Sequence, residues 1–164
     1  MRFGIINISG LVIIWLLSSY TLKHQPRVLT FNDFEPHLHL QNDTTYLVNF
    51  WASWCHPCVE ELPAFERVGE EYRDKKVKVL LVSLDFPGQI ETRLVPFLEK
   101  NDIRSEVLVL NDPNANKWID SVDPSWSGSI PATLIYQGND RSFHEGAYDY
   151  EELRRIVEQK IKVK

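Results

Sequence analysis

The residue pattern predicts an α/β protein with a mixed central β-sheet flanked by helices. Three observations lead there. Tyr46 to Trp51 and Val77 to Leu84 are rich in apolar residues almost without interruption, as expected of strands covered on both faces. Segments with helical apolar spacing lie between and after them, so strand and helix alternate. Toward the C-terminus, Ala132 to Tyr136 and Arg141 to His144 read as a hairpin around Gln137-Gly138-Asn139-Asp140, which adds antiparallel pairing. The order is βαβ, then ββα, with a helical insertion between them.

Taken in order, residues 1–22 stand apart. Phe3 to Leu22 is mostly Ile, Leu, Val, Trp and Phe and carries no charge. About twenty such residues span a bilayer as a helix. A transmembrane anchor or a signal peptide is expected, and the lack of an A-x-A-like cleavage site around Leu17 to Thr21 favours the anchor. Arg2 on one side and Lys23 and Arg27 on the other balance the charge count, so charge does not orient it. Residues 23–43, with Pro26 and Pro36, are expected to be a linker and edge segment. Within it, Phe31, Phe34, Leu38 and Leu40 offer a short helix or strand to pack on the domain, which spans residues 44–164.

Inside that domain, Leu62, Phe65, Val68, Gly69 and Tyr72 form one face of the first helix, and Pro63 should kink it. Ile90 to Lys100 is a second helix with Pro96 as an irregularity. Glu106 to Leu110 is a short strand, and Asp112-Pro113 opens a helical turn containing Trp118 and Ile119. The last helix takes its apolar face from Leu153, Ile156, Val157 and Ile161.

A chain of 164 residues is long enough for one domain with a real core plus a short appendage. Its formal net charge of −5 gives no electrostatic basis for binding nucleic acid. Both cysteines lie in one stretch, Asn49-Phe50-Trp51-Ala52-Ser53-Trp54-Cys55-His56-Pro57-Cys58, where a buried strand gives way to a helix. A helix N-terminus offers unpaired N–H groups and the positive end of the helix dipole, both of which favour a thiolate. Cys55 receives most of that effect and reads as the nucleophile. Cys58, one turn further in, is close enough to form a disulfide with it and reads as the resolving thiol. Zinc would need two further ligands. His24, His37, His39, His56 and His144 lack the spacing of common structural sites, so no metal is expected. A c-type haem needs histidine after the second cysteine, and Val59 stands there.

Phe50-Trp51-Ala52-Ser53-Trp54-Cys55-His56-Pro57-Cys58, followed by Val59-Glu60-Glu61-Leu62-Pro63, resembles the active-site segment of the TlpA/ResA-like membrane-anchored thioredoxins. Ser129-Ile130-Pro131-Ala132-Thr133 is similar to the cis-proline loop that faces the dithiol in that family. The resemblance runs from about Thr44 to the C-terminus. It implies a thioredoxin-like fold and an extracytoplasmic thiol–disulfide oxidoreductase, in the bacterial periplasm or cell envelope, without a cofactor. Its substrates would be disulfide-containing or dithiol proteins, with maturation of c-type cytochromes as one family role, and a redox partner would recycle the dithiol. A cis Pro131 is implied, with Ile130 offering backbone hydrogen bonds to a client peptide and Trp54 lining the substrate groove; Trp51 and Trp126 read as core.

The resemblance also implies proton transfer by Glu61, the acid after the C-x-x-C, whereas from position alone Glu60 and Glu61 also read as first-turn acids favoured by the helix dipole. Asn49 departs from thioredoxin proper, which has a buried aspartate there, and an amide cannot accept a proton. That makes Glu61 or water the base for Cys58. His56 either tunes the Cys55 thiolate when protonated or is a solvated imidazole. Pro57, lacking an N–H, removes a donor from the first turn and stiffens it. Two rival classes stay open: a binding or chaperone-like module with a structural disulfide, and a thiol peroxidase.

Overall fold

The computed structural model describes residues 25–162; the apolar stretch read as an anchor or signal peptide lies outside them. Among the described residues, no helix is long and apolar enough to cross a membrane. Six strands form one sheet: β1 (Arg27–Leu29), β2 (Thr45–Trp51), β3 (Val77–Ser83), β4 (Glu106–Leu110), β5 (Ala132–Gln137) and β6 (Asp140–Glu145). Their spatial order is β1-β4-β3-β2-β5-β6. The first four are mutually parallel, and β5 and β6 are antiparallel to their neighbours, so the sheet is mixed as expected.

The central strand β2 is buried along its whole length because it lies between β3 and β5 and is covered on both faces. Alternate residues face opposite sides of the sheet. Leu47 and Trp51 join a core with Val79, Leu81, Val107, Val109 and Ile135, under the helices α2 (His56–Glu71), α3 (Val95–Lys100) and α5 (Tyr150–Lys162). Tyr46, Val48 and Phe50 join the opposite core with Leu80, Val82, Leu108 and Leu134, under α1 (Phe31–Phe34) and α4 (Ala115–Val122). Burying each such large apolar side chain contributes roughly 1.5–3 kcal/mol. Asn49 has the parity of Leu47 and Trp51, so its amide faces α2.

The edge segment contributes more regular structure than its sequence foretells. Arg27–Leu29 pairs in parallel with Leu108–Leu110, and Phe31, Phe34 and Leu38 are buried, whereas Leu40 is exposed. The 90–100 stretch is a π-helical turn over Ile90–Leu94 that runs into α3, with Pro96 in its first turn, where a missing N–H costs least. α2 approaches the sheet closely at Gly69, where a Cβ would lie 3.2 Å from Val79 Cγ2, a tight contact that the valine would have to yield to. The hairpin turn between β5 and β6 places Gly138 at φ +55°, a left-handed conformation glycine adopts freely.

Candidate active site

The chain leaves β2 at Trp51 and enters α2 at His56, so four residues carry it from the carboxyl end of this central strand to the helix. The turn closes through Cys55 N–H donating to the Ala52 carbonyl at 3.0 Å. Cys55 caps α2 with extended backbone, and Cys58 lies in its first turn. The two are joined by a disulfide with Cα atoms 5.3 Å apart. Cys58 is enclosed and Cys55 retains a small exposed surface, the asymmetry that an attacking and a resolving thiol need.

The loop before β5 closes over this pair. The Ile130–Pro131 peptide is cis, and the Ile130 carbonyl oxygen lies 3.7 Å from Cys55 Sγ. The Pro131 carbonyl accepts from Gly146 N–H, which ties the loop to the end of β6. Cys55, Cys58 and Ile130 are thus brought together. Trp54, the residue before Cys55, is 45 % exposed with its ring stacked on Phe86, whereas Trp51 and Trp126 are buried in the two cores. Pro57 occupies the first turn of α2 on the surface. His56 turns outward: its side chain is 85 % exposed and its Nε2 lies 3.3 Å from Glu60 Oε1, one turn on.

Behind Cys58 the setting changes. Glu61 lies in the second turn of α2, not the first, and is only 3 % exposed. Its Oε1 accepts from Asn49 Nδ2 at 2.7 Å, and its Oε2 from Tyr148 N–H at 2.8 Å. Asn49 and Thr133 are register partners on β2 and β5, so Asn49 Nδ2 also reaches Thr133 Oγ1 at 3.1 Å. Asn49 Oδ1 is buried without a hydrogen-bond partner among the described residues. Burial pushes the Glu61 carboxyl up to about 7, against the hydrogen bonds from Tyr148 N–H and the Asn49 amide, which favour the carboxylate. A buried acid that titrates near neutral pH, three residues from Cys58 on one helix, can take up and return a proton there.

Several of these contacts escaped the sequence reading. Tyr148 is positioned by the start of α5: Asp149 Oδ1 accepts from Glu152 N–H at 2.8 Å, and Glu152 Oε2 accepts from Asp149 N–H at 3.0 Å. That reciprocal capping box was legible as Asp149-x-x-Glu152. Asp85, just past β3, is buried and accepts from Ser53 N–H, Ser53 Oγ and Ser83 Oγ at 2.9, 2.6 and 2.8 Å. It fastens the loop that carries Trp54 and Cys55. Its one signal was its place at the carboxyl end of a parallel strand, where α/β sheets gather their functional loops.

A family model described as AhpC/TSA matches residues 24–140. The chain belongs to the AhpC/TSA family. Among curated proteins, it is similar to the thioredoxin-like protein YneN of Bacillus subtilis, 36% identical over 63 residues that make up 38% of this chain and 36% of YneN. It is 46% identical to the thiol–disulfide oxidoreductase ResA of Oceanobacillus iheyensis over 39 residues, 24% of this chain and 20% of that protein. The chain thus spans between a fifth and two fifths of those two relatives. A thioredoxin of Rickettsia bellii is 33% identical over 101 residues, 57% of this chain and 94% of that one. Among solved structures, a thiol:disulfide interchange protein of the thioredoxin family from Chlorobium tepidum superposes with a TM-score of 0.62 at 20% identity, covering 77% of this chain and 84% of the other. StoA from Bacillus subtilis superposes at 0.55 with 19% identity, over 71% and 84%. The fold is thioredoxin-like, and homologues named as thiol–disulfide oxidoreductases accompany a Cys-x-x-Cys pair.

Proposed function

We propose that the protein is an extracytoplasmic thiol–disulfide oxidoreductase that reduces disulfides in exported proteins, tethered to the membrane through residues 3–22. The observation that carries the chemistry is the Cys55–Cys58 disulfide at the start of α2, with Cys55 accessible beside the Ile130 carbonyl and Cys58 enclosed on the Glu61 side. The uncharged apolar run Phe3 to Leu22 supports the tether, and with it a place outside the cytoplasm.

In the reductive direction the Cys55 thiolate attacks one sulfur of a client disulfide. The other client sulfur departs as a thiolate and takes up a proton, leaving a mixed disulfide on Cys55. Cys58 then gives its proton to Glu61, and the resulting thiolate attacks Cys55 Sγ. The remaining client sulfur leaves and is protonated in turn. The client gains two electrons and two protons, and the enzyme pair becomes a disulfide that a donor dithiol must reduce again. Asn49 and Tyr148 N–H hold the Glu61 carboxyl in place throughout. Exported c-type cytochromes are one client class that fits.

The test is equilibration of the full chain, in detergent, against glutathione and dithiothreitol series, followed by reduction of a peptide disulfide. A potential near about −270 mV supports a reductase, and one near about −120 mV reverses the direction. Cys55→Ser is expected to lower peptide reduction to the uncatalysed background. Undiminished biological activity in that variant would establish a structural disulfide instead. Peroxide consumption outrunning disulfide exchange would establish the peroxidase class.

A further inference from the structure

We propose that Phe86, whose ring stacks on Trp54, selects client disulfides flanked by an aromatic or large aliphatic side chain in an extended segment. This rests on the exchange chemistry above and adds which disulfides are taken.

Four large hydrophobic side chains are exposed among the described residues: Val28, Leu40, Trp54 and Phe86. Phe86, at 62 %, is the most exposed of them, and its ring stacks on Trp54 with centroids 6.5 Å apart and planes 20° from parallel. Aromatic surface left in water is available to a partner, and two stacked rings offer a broad flat area at little cost in side-chain entropy.

The pair is held from beneath. Asp85, next to Phe86, is enclosed and accepts hydrogen bonds from both the backbone and the hydroxyl of Ser53, which precedes Trp54. Ser83 Oγ donates to the same side chain and accepts from Asp85 N–H, fixing it to the end of β3. On the far side of Phe86 a 3-10 turn follows over Pro87–Gln89, closed by Gln89 N–H donating to the Phe86 carbonyl at 2.8 Å. One buried side chain therefore joins the two segments that carry the rings. A pair so anchored is pre-organised, which lowers the entropic cost of binding.

The occupant follows from what the pair adjoins. Trp54 is bonded directly to Cys55, and the Ile130 carbonyl, an acceptor for a client backbone, lies 3.7 Å from Cys55 Sγ. The residues that flank a client cysteine engaged at Cys55 lie one step of about 3.3 Å along an extended chain from it, a reach that matches the place of Trp54 next to Cys55 in the sequence. A peptide with an apolar residue beside its cysteine therefore suits an attacking thiol whose sequence neighbour carries this exposed, stacked pair.

Two short peptides with the same intrachain disulfide, differing only in whether Phe or Ser flanks each cysteine, provide the test. Their reduction by the pre-reduced full chain is followed by thiol alkylation and normalised to the rate with dithiothreitol. The wild type is expected to favour the Phe peptide about tenfold, Phe86→Ala to bring that ratio below about threefold, and Phe86→Trp to keep it. The ratio does not depend on how much of a variant is folded. Equal rates in the wild type, or a Phe86→Ala variant that slows both peptides equally, overturns the proposal. Failure of the wild type to reduce either peptide while dithiothreitol reduces both would instead overturn the exchange reading on which it stands.

Discussion

Behind Cys58, the polar side chains of Asn49, Glu61 and Thr133 are enclosed in an apolar core, whereas in front of Cys55 the rings of Trp54 and Phe86 stand in solvent. Each region inverts the usual arrangement of apolar inside and polar outside. Each is also held by a dedicated contact: the Tyr148 N–H and Asn49 amide on one side, Asp85 on the other. The difference teaches how one dithiol can serve the two needs of the proposed reaction. Proton movement at the resolving thiol gains from a low-dielectric setting that brings a carboxyl to neutral pH. Client capture gains from exposed apolar surface beside the attacking thiol.

The largest effect on the buried side is expected from Glu61→Gln. On the proposed mechanism it removes the proton acceptor for Cys58 and should slow resolution of the mixed disulfide about a hundredfold, near the lower end for general acid–base catalysis. The inflection near pH 7 in single-turnover kinetics should vanish with it. Stability gives an independent reading. The folded carboxyl titrates above its ordinary 4.5, so its contribution is fully present below that value and is lost as pH rises through about 7. The wild type should lose on the order of 2 kcal/mol across that window in denaturant unfolding, and Glu61→Gln should not. A pH-rate profile unchanged in the variant would remove Glu61 from the chemistry.

Next in size is Asn49→Asp, which places a second carboxyl beside Glu61 in the same enclosure. The two groups would share a proton, raising the pair's titration in the folded state. Urea midpoints at pH 5 and pH 8 should therefore diverge, with a loss on the order of 2 kcal/mol at the higher pH and little at the lower. Equal losses at both values would reduce Asn49 to a packing role.

The smallest effect belongs to His56→Ala. With both partners of the His56–Glu60 pair largely in water, stability should change by less than about 0.5 kcal/mol. The reduction potential, measured against glutathione, should move by about 30 mV or less, equivalent to about 1.4 kcal/mol in the redox equilibrium. A larger shift would bring the imidazole into the redox machinery.

The parts of this molecule legible in sequence are those whose physics is local. β2 and β3 are apolar runs, α2 and α5 carry helical stripes, and the spacing of Cys55, Cys58 and Glu61 follows from one helix. β1 was not legible as a strand, because Arg27-Val28-Leu29 is short, half-exposed, and defined only by its pairing with β4. The setting of Glu61 was not legible either. Its partners, Asn49 and Tyr148, lie 12 and 87 residues away and meet it only when strand, helix and the approach to α5 are assembled. Phe86 sits in a polar, turn-rich stretch where a single aromatic carries no pattern.

The placement of the tryptophans also has an optical consequence. Trp51, Trp118 and Trp126 are enclosed, the last against Phe50, Trp118 and Phe143, while Trp54 is the one tryptophan among the described residues that meets solvent. Enclosed indoles emit toward the blue and are shielded from acrylamide. Trp54 emits further to the red, is open to quenching, and adjoins Cys55, whose sulfur changes its bonding when the disulfide is reduced. A difference spectrum between the oxidised and reduced protein therefore combines this exposed indole with Trp51, which shares a core with Cys55 and Cys58, and acrylamide separates the two; on the proposed function, a client settling on Trp54 screens it from the quencher as it binds.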